Sequence, residues 1–170
     1  MQQLKSTHLP QLGFALLEAL FALLILTLGV LGLLWMHQHA LAQQRQQLMR
    51  SVAMGIADDL AERMHLNAPQ RSAYAKTWGQ AAASSTDCAA NACTRQELAA
   101  WDLQQLQNTL QTQLPEGDAA VFGLTDIPNW WGIVIAWKDP NETYRTDTAS
   151  GTPSCPPQMS CWRLFFRPDR

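Results

Sequence analysis

The chain has 170 residues, a formal net charge of -2 and 47% hydrophobic residues, which are concentrated in its first third. This length allows one domain plus an extended segment. No block of like charge is present, which argues against a nucleic-acid groove and against a polybasic membrane patch.

The longest apolar run extends from Phe14 to Met36 and contains one charged residue, Glu18. A run of this length can cross the hydrocarbon core of a membrane as a helix. Two interpretations are a plain membrane anchor and a secretory signal peptide, for which Ala40-Leu41-Ala42 would supply a small-x-small cleavage site. Neither explains Glu18, because a carboxylate in such a segment costs about 2.5–3.5 kcal/mol and requires a partner.

A third interpretation explains both features. Gly13-Phe14-Ala15-Leu16-Leu17-Glu18, placed after a short leader with the single cation Lys5, resembles the class III signal of the type IV pilin superfamily. The resemblance implies that a prepilin peptidase cuts after Gly13 and that the new N-terminal residue, Phe14, is N-methylated. It also implies that the Glu18 carboxylate neutralises the terminal amine of a neighbouring subunit in the assembled filament.

Helical spacing continues beyond Met36. An apolar stripe recurs every four or seven residues, at Leu41, Leu48, Val52, Ile56, Leu60 and Met64. The pattern stops near Asn67-Ala68-Pro69. The sequence therefore predicts one helix from Phe14 to Leu66, about 80 Å long at 1.5 Å per residue. We expect a folded domain to cover the stripe on its second half.

Residues 70–93 are typical of irregular structure. Thr94 and Glu97 form a capping-box signature for a second helix, whose apolar positions are predicted at Leu98, Trp101, Leu106, Leu110 and Leu114, with Trp101 in the core. That helix should end at Pro115-Glu116-Gly117-Asp118.

Strand patterns follow the second helix. The predicted strands are Ala119–Leu124, Trp130–Trp137, an edge strand at Glu142–Thr148, and Trp162–Arg167, with a Pro-rich loop from Gly151 to Cys161. Alternation along a strand should send Trp130 and Trp131 to opposite faces, with one of them buried.

Four cysteines form two close pairs, Cys88 with Cys93 and Cys155 with Cys161. In an exported domain they would be oxidised, and the local pairing is favoured among the three that four cysteines allow. A zinc site is the alternative, but neither pair has Cys-x-x-Cys spacing and no histidine lies near either.

These elements predict an α+β fold, with a long N-terminal helical spine packed on a three- or four-stranded, mostly antiparallel sheet and a helical insertion, as the pilin resemblance also implies. The predicted domains are a cleaved leader (1–13), a transmembrane and amphipathic spine (14–66) and a periplasmic globular head (67–170).

The head resembles the minor pilin family PilV, also called type IV pilus modification protein. The similarity rests on Asp87-Cys88, Cys93, Glu97-Leu98-Ala99, Asp102-Leu103 and Leu114-Pro115-Glu116-Gly117. It implies other minor and major pilins, the prepilin peptidase and the inner-membrane assembly machinery as partners. The expected location is the inner membrane, as a single-pass protein with its head in the periplasm, and then the pilus surface.

No pattern for catalysis appears. Nucleophile motifs and Gly-rich phosphate loops are absent from the sequence, and no metal or cofactor is expected. The acidic residues Asp58, Asp59 and Glu62 are interpreted as a solvated helix face. Three alternatives stay open: a type II secretion pseudopilin, an anchored periplasmic binding or adhesive module, and a DNA-stacking surface at Trp130-Trp131, although the head lacks the basic stripe that phosphate binding needs.

Overall fold

The computed structural model describes residues 14–139 and 152–168. The chain divides into two compact units, one ending at Arg45 and the other beginning at Gln46. The elements in chain order are helix α1 (Phe14–Leu66), a 3₁₀ helix (Ala68–Tyr74), helix α2 (Arg95–Gln113), and strands β1 (Asp118–Gly123), β2 (Trp131–Lys138) and β3 (Met159–Phe166). This set of helices and antiparallel strands confirms the predicted α+β class.

The second unit is built on one three-stranded sheet with β2 in the centre. Both neighbours are antiparallel to β2, with Ala120 opposite Val134 and Val134 opposite Arg163. On the outer edge of β1, Lys76 and Val121 exchange both backbone hydrogen bonds at 2.9 Å. Three strands are described, and the predicted edge strand Glu142–Thr148 lies outside the described residues.

One hydrophobic core joins the sheet to the second half of α1 and to α2. Side chains alternate along β2, so Ile133, Ile135 and Trp137 all enter this core. From α1 the core receives Ala53, Ile56, Ala57, Leu60 and Met64, and from α2 it receives Ala99, Leu103, Leu106 and Leu110. The expectation that a folded domain covers part of the α1 stripe is confirmed.

The extent of that stripe was predicted wrongly. Leu41 and Leu48 are 57% and 61% exposed, whereas Ala53 and Ala57 are fully buried. These two alanines are small, so the backbone of α1 can approach its neighbours closely at their positions. The predicted stripe was based on the spacing of the large apolar residues and therefore omitted the alanines. The buried face of α1 therefore keeps Ile56, Leu60 and Met64 from the predicted stripe, adds the two alanines, and begins later along the helix.

The capping box at the start of α2 is confirmed. The Thr94 hydroxyl accepts a hydrogen bond from the Glu97 backbone N–H, and the Glu97 carboxylate accepts one from the Thr94 backbone N–H across 2.8 Å. The assignment of Trp101 to the core was wrong, because that side chain is only partly buried and the neighbouring Ala99 and Leu103 face inward instead.

Three boundaries differ from the prediction. A 3₁₀ helix occupies Ala68–Tyr74, where irregular structure was expected from residue 70. Pro69 lies in the first turn of this helix, where the missing backbone N–H costs nothing. Strand β3 begins at Met159, inside the predicted Gly151–Cys161 loop. Strand β2 begins at Trp131 instead of Trp130. Pairing between β2 and β3, from Trp131 opposite Phe166 to Lys138 opposite Met159, sets the two strand boundaries.

Candidate assembly surface

The first part of α1 presents an apolar surface without a cover. Every large apolar side chain from Leu16 to Met36 is exposed, at fractions from 48% for Val30 to 70% for Trp35. Among the described residues, α1 is the one helix long and apolar enough to cross a membrane, by length and composition. Exposed apolar surface of this extent marks a contact with lipid or with other proteins.

Glu18 is the single acidic side chain on this surface, and it is exposed. Phe14 begins α1, so Glu18 lies four residues, or about one turn, from the start of the helix. Gly13, the predicted cleavage position, lies outside the described residues. The geometry places a carboxylate near the helix end at which cleavage would create an amine.

The cysteines form two disulfides, Cys88–Cys93 and Cys155–Cys161. This is the local pairing among the three that the sequence allows. The first closes a loop just before α2. The second ties the loop at 152–158 to β3, where Cys161 lies opposite Ala136 in the sheet register. Residues opposite each other in a sheet share a face, so Cys161 points to the same side as Ala136, which is the side opposite to Ile135.

A buried polar network joins α1, the 3₁₀ helix and α2. The Asp102 carboxylate accepts hydrogen bonds from the Tyr74 hydroxyl at 2.6 Å and from Arg63 Nη1 at 2.9 Å. Asn67 donates from Nδ2 to the Arg95 backbone carbonyl at 2.8 Å and to the Tyr74 hydroxyl at 3.2 Å. Asp102, Tyr74 and Asn67 are each at most 4% exposed, so these bonds offset the cost of removing polar groups from water.

Burial raises the pKa of the Tyr74 hydroxyl, and its hydrogen bond to Asp102 raises it further. Both effects favour the neutral phenol over the phenolate. Glu97 shows the opposite effect, because the backbone N–H of Thr94 stabilises the carboxylate and lowers its pKa. Glu97 thus stabilises the start of α2, and Tyr74 stabilises the end of the 3₁₀ helix.

The spacing of apolar residues did not predict this network. The sequence feature that could have indicated the network is Asp102, an acidic residue among the inward-facing Ala99, Leu103 and Leu106 of α2. An ionised group on an apolar helix face requires partners. Its partners Tyr74 and Arg63 are 28 and 39 residues away, so spacing alone could not name them.

A buried lysine forms an ion pair at the start of β1. Lys76 is 4% exposed, and its Nζ contacts Asp118 Oδ1 at 2.7 Å and the Ala119 carbonyl at 2.9 Å. Asp118 Oδ2 also accepts a hydrogen bond from the Gly79 backbone N–H at 2.7 Å. The pair attaches the segment after the 3₁₀ helix to the first residue of the sheet.

A groove of about 420 Å³ lies between α1 and α2. Val52, Ile56 and Leu106 line it together with the salt bridges from Arg63 to Asp59 and Asp102. Among the described residues that line it, no nucleophile is paired with a base. Across residues 14–139 and 152–168, no cluster of three metal-ligating side chains is found.

Neither of the two adjacent tryptophans is fully buried. Trp130 and Trp131 are both partly exposed, and Trp131 packs against the core at the end of the sheet. The expectation that one of them would be buried is therefore wrong. Trp130 lies outside the strand, so strand alternation does not apply to it.

Comparison with protein families gives a match over part of the chain. Residues 36–104 match the family described as Tt1218-like, Type IV pilin Tt1218. The match covers 69 of the 170 residues, less than half of the chain, and indicates similarity to type IV pilins. No curated protein and no solved structure matches the chain.

The matched part of this pilin-like chain runs from the end of the apolar surface, through the 3₁₀ helix and the Cys88–Cys93 loop, into α2. The long helix followed by an antiparallel sheet agrees with the type IV pilin fold. Pilins are structural subunits that assemble with other pilins, which fits a candidate surface built from apolar side chains and one carboxylate.

Proposed function

We propose that the protein is a minor pilin of the PilV type, a structural subunit that helps to prime assembly of a type IV pilus or forms part of its tip complex. The observation that carries this proposal is the exposed apolar surface of α1 from Leu16 to Met36, with Glu18 as its single acid. The similarity of residues 36–104 to a type IV pilin family supports the pilin class from a different part of the chain.

Processing precedes assembly in this proposal. The prepilin peptidase cuts between Gly13 and Phe14, and the new amine of Phe14 is methylated. The amine begins an apolar helix and Glu18 follows about one turn later. A carboxylate in lipid costs about 2.5–3.5 kcal/mol, so the Glu18 carboxylate is stabilised when it pairs with the amine of a neighbouring subunit.

Before assembly the subunit resides in the inner membrane through α1, with the head in the periplasm, where the two disulfides form. During assembly the helix leaves the lipid and packs against the helices of other minor and major pilins. Leu41 and Leu48, which remain exposed past the apolar run, would contact those neighbouring helices.

The N-terminus of the protein, isolated from membranes of a host with its own prepilin peptidase, tests processing. We expect a chain that starts at Phe14 and is heavier by one methyl group. Gly13→Leu should remain uncleaved, and Gly13→Ala is the matched conservative variant. A wild-type chain that starts at Met1 or Gln43 would contradict the proposal.

Assembly is tested with Glu18→Ala. This variant should be cleaved normally but recovered in sheared pili at a much lower level than wild type, because it cannot pair with the neighbouring amine. Glu62→Ala removes an exposed acid from the same helix and serves as the control. Equal recovery of Glu18→Ala and wild type would refute the pairing, and recovery in a type II secretion complex instead of pili would assign the chain to the pseudopilins.

A further inference from the structure

The apolar surface of α1 ends in an aromatic pair. Trp35 is 70% exposed, and its ring stacks on that of His39 with centroids 5.9 Å apart and planes inclined by 10°. Met36 is the last residue of the apolar run, and His37, Gln38 and His39 follow it. The pair therefore lies where the helix surface changes from apolar to polar.

Tryptophan and histidine each combine an apolar body with a polar tip. Tryptophan is enriched at membrane–water interfaces for this reason, because its ring is stable at the level of the lipid headgroups. We propose that Trp35 and His39 together contact the lipid headgroup region on the head side of the bilayer. This inference rests on the membrane-inserted form in the proposed function, and it specifies the depth of the helix.

The position of the pair has a geometric consequence. Trp35 follows Phe14 by 21 residues, which corresponds to about 32 Å along a helix at 1.5 Å per residue. The hydrocarbon core is about 30 Å thick. With Trp35 at one interface, the Gly13–Phe14 bond reaches the opposite interface and Glu18 enters the hydrocarbon by about one turn.

The chain has seven tryptophans, so the signal of Trp35 is obtained as the difference between wild type and Trp35→Phe. Each protein, as the full chain, is reconstituted in phosphatidylcholine vesicles brominated either near the glycerol ends or near the methyl ends of the acyl chains. We expect the Trp35 fluorescence to be quenched more strongly by the shallow bromines than by the deep ones. Trp101→Phe removes a partly buried head tryptophan, and its difference signal should be quenched by neither lipid.

Flotation of the vesicles separates the two proposals. If the chain does not float with the vesicles, the membrane anchor in the proposed function and this inference are both overturned. If the chain floats but Trp35 is unquenched, or is quenched more by the deep bromines, the interfacial contact alone is overturned. Insertion together with shallow quenching supports the assignment.

Discussion

The Tyr74 hydroxyl donates a hydrogen bond to Asp102 Oδ2 across 2.6 Å in the interior of the second unit. The other oxygen of the same carboxylate accepts from Arg63. One side chain of α2 thereby joins the C-terminal part of α1 to the 3₁₀ helix that follows it.

Tyr74→Phe should lower the free energy of unfolding by about 1–2 kcal/mol, because Asp102 and Asn67 each lose a buried partner. The measurement is urea unfolding of the full chain in detergent, followed by tryptophan fluorescence. Thr112→Ala removes an exposed hydroxyl from α2 and should change stability by less than about 0.5 kcal/mol. An unchanged midpoint for Tyr74→Phe would show that the network contributes nothing to stability.

The same contact predicts a loss of stability in alkali. The folded protein retains the Tyr74 proton because burial and Asp102 raise its pKa, whereas the unfolded tyrosine loses its proton near pH 10. The stabilisation is therefore complete below about pH 10 and declines as pH rises further. Unfolding midpoints measured from pH 8 to 11 should fall more steeply for wild type than for Tyr74→Phe, and parallel curves would contradict the assignment.

Thr94→Ala should reduce the free energy of unfolding by about 1 kcal/mol, because the first turn of α2 loses a side-chain acceptor for the Glu97 N–H. Thr94→Ser keeps the hydroxyl and should be close to wild type. Thermal unfolding monitored by circular dichroism measures both variants. If Ala and Ser behave alike, the capping hydroxyl is not stabilising the helix.

The two disulfides allow a matched comparison, because they close loops of similar length, with sequence separations of 5 and 6. Each double Cys→Ser variant should lose about 2 kcal/mol through the greater freedom of the unfolded chain. The Cys155/Cys161 variant should lose more, because Cys155 is buried whereas Cys88 and Cys93 are partly exposed. Urea unfolding of both variants under non-reducing conditions tests the difference, and equal losses would exclude a packing role for the Cys155 side chain.

Local signals predicted the helices well. The apolar run and its polar continuation predicted α1 from Phe14 to Leu66, and the Thr94–Glu97 box predicted the start of α2. Such signals involve residues within a few positions of one another, so they can be read directly from the chain. Glu18 was identified in the same way, as an isolated charge in an apolar segment.

The point at which the buried face of α1 begins and the contacts around Asp102 could not be inferred from spacing. Ala53 and Ala57 enter the core while Leu48 stays exposed, because the surface that α1 buries is defined by the sheet and by α2. Likewise, Trp101 and Leu103 are two residues apart on one helix, and the packing of α2 on its neighbours buries the leucine. Trp101 was therefore assigned to the wrong side.

Residue order alone thus established a long apolar helix, its single carboxylate, a capped second helix and a set of strands, because each depends on short-range periodicity and backbone preference. The folded arrangement established which face of each helix is buried and which distant residues satisfy Asp102 and Lys76. The partners of Asp102 and Lys76 lie 28 to 42 residues away along the chain, and the free energy of such contacts exists only once the elements pack together.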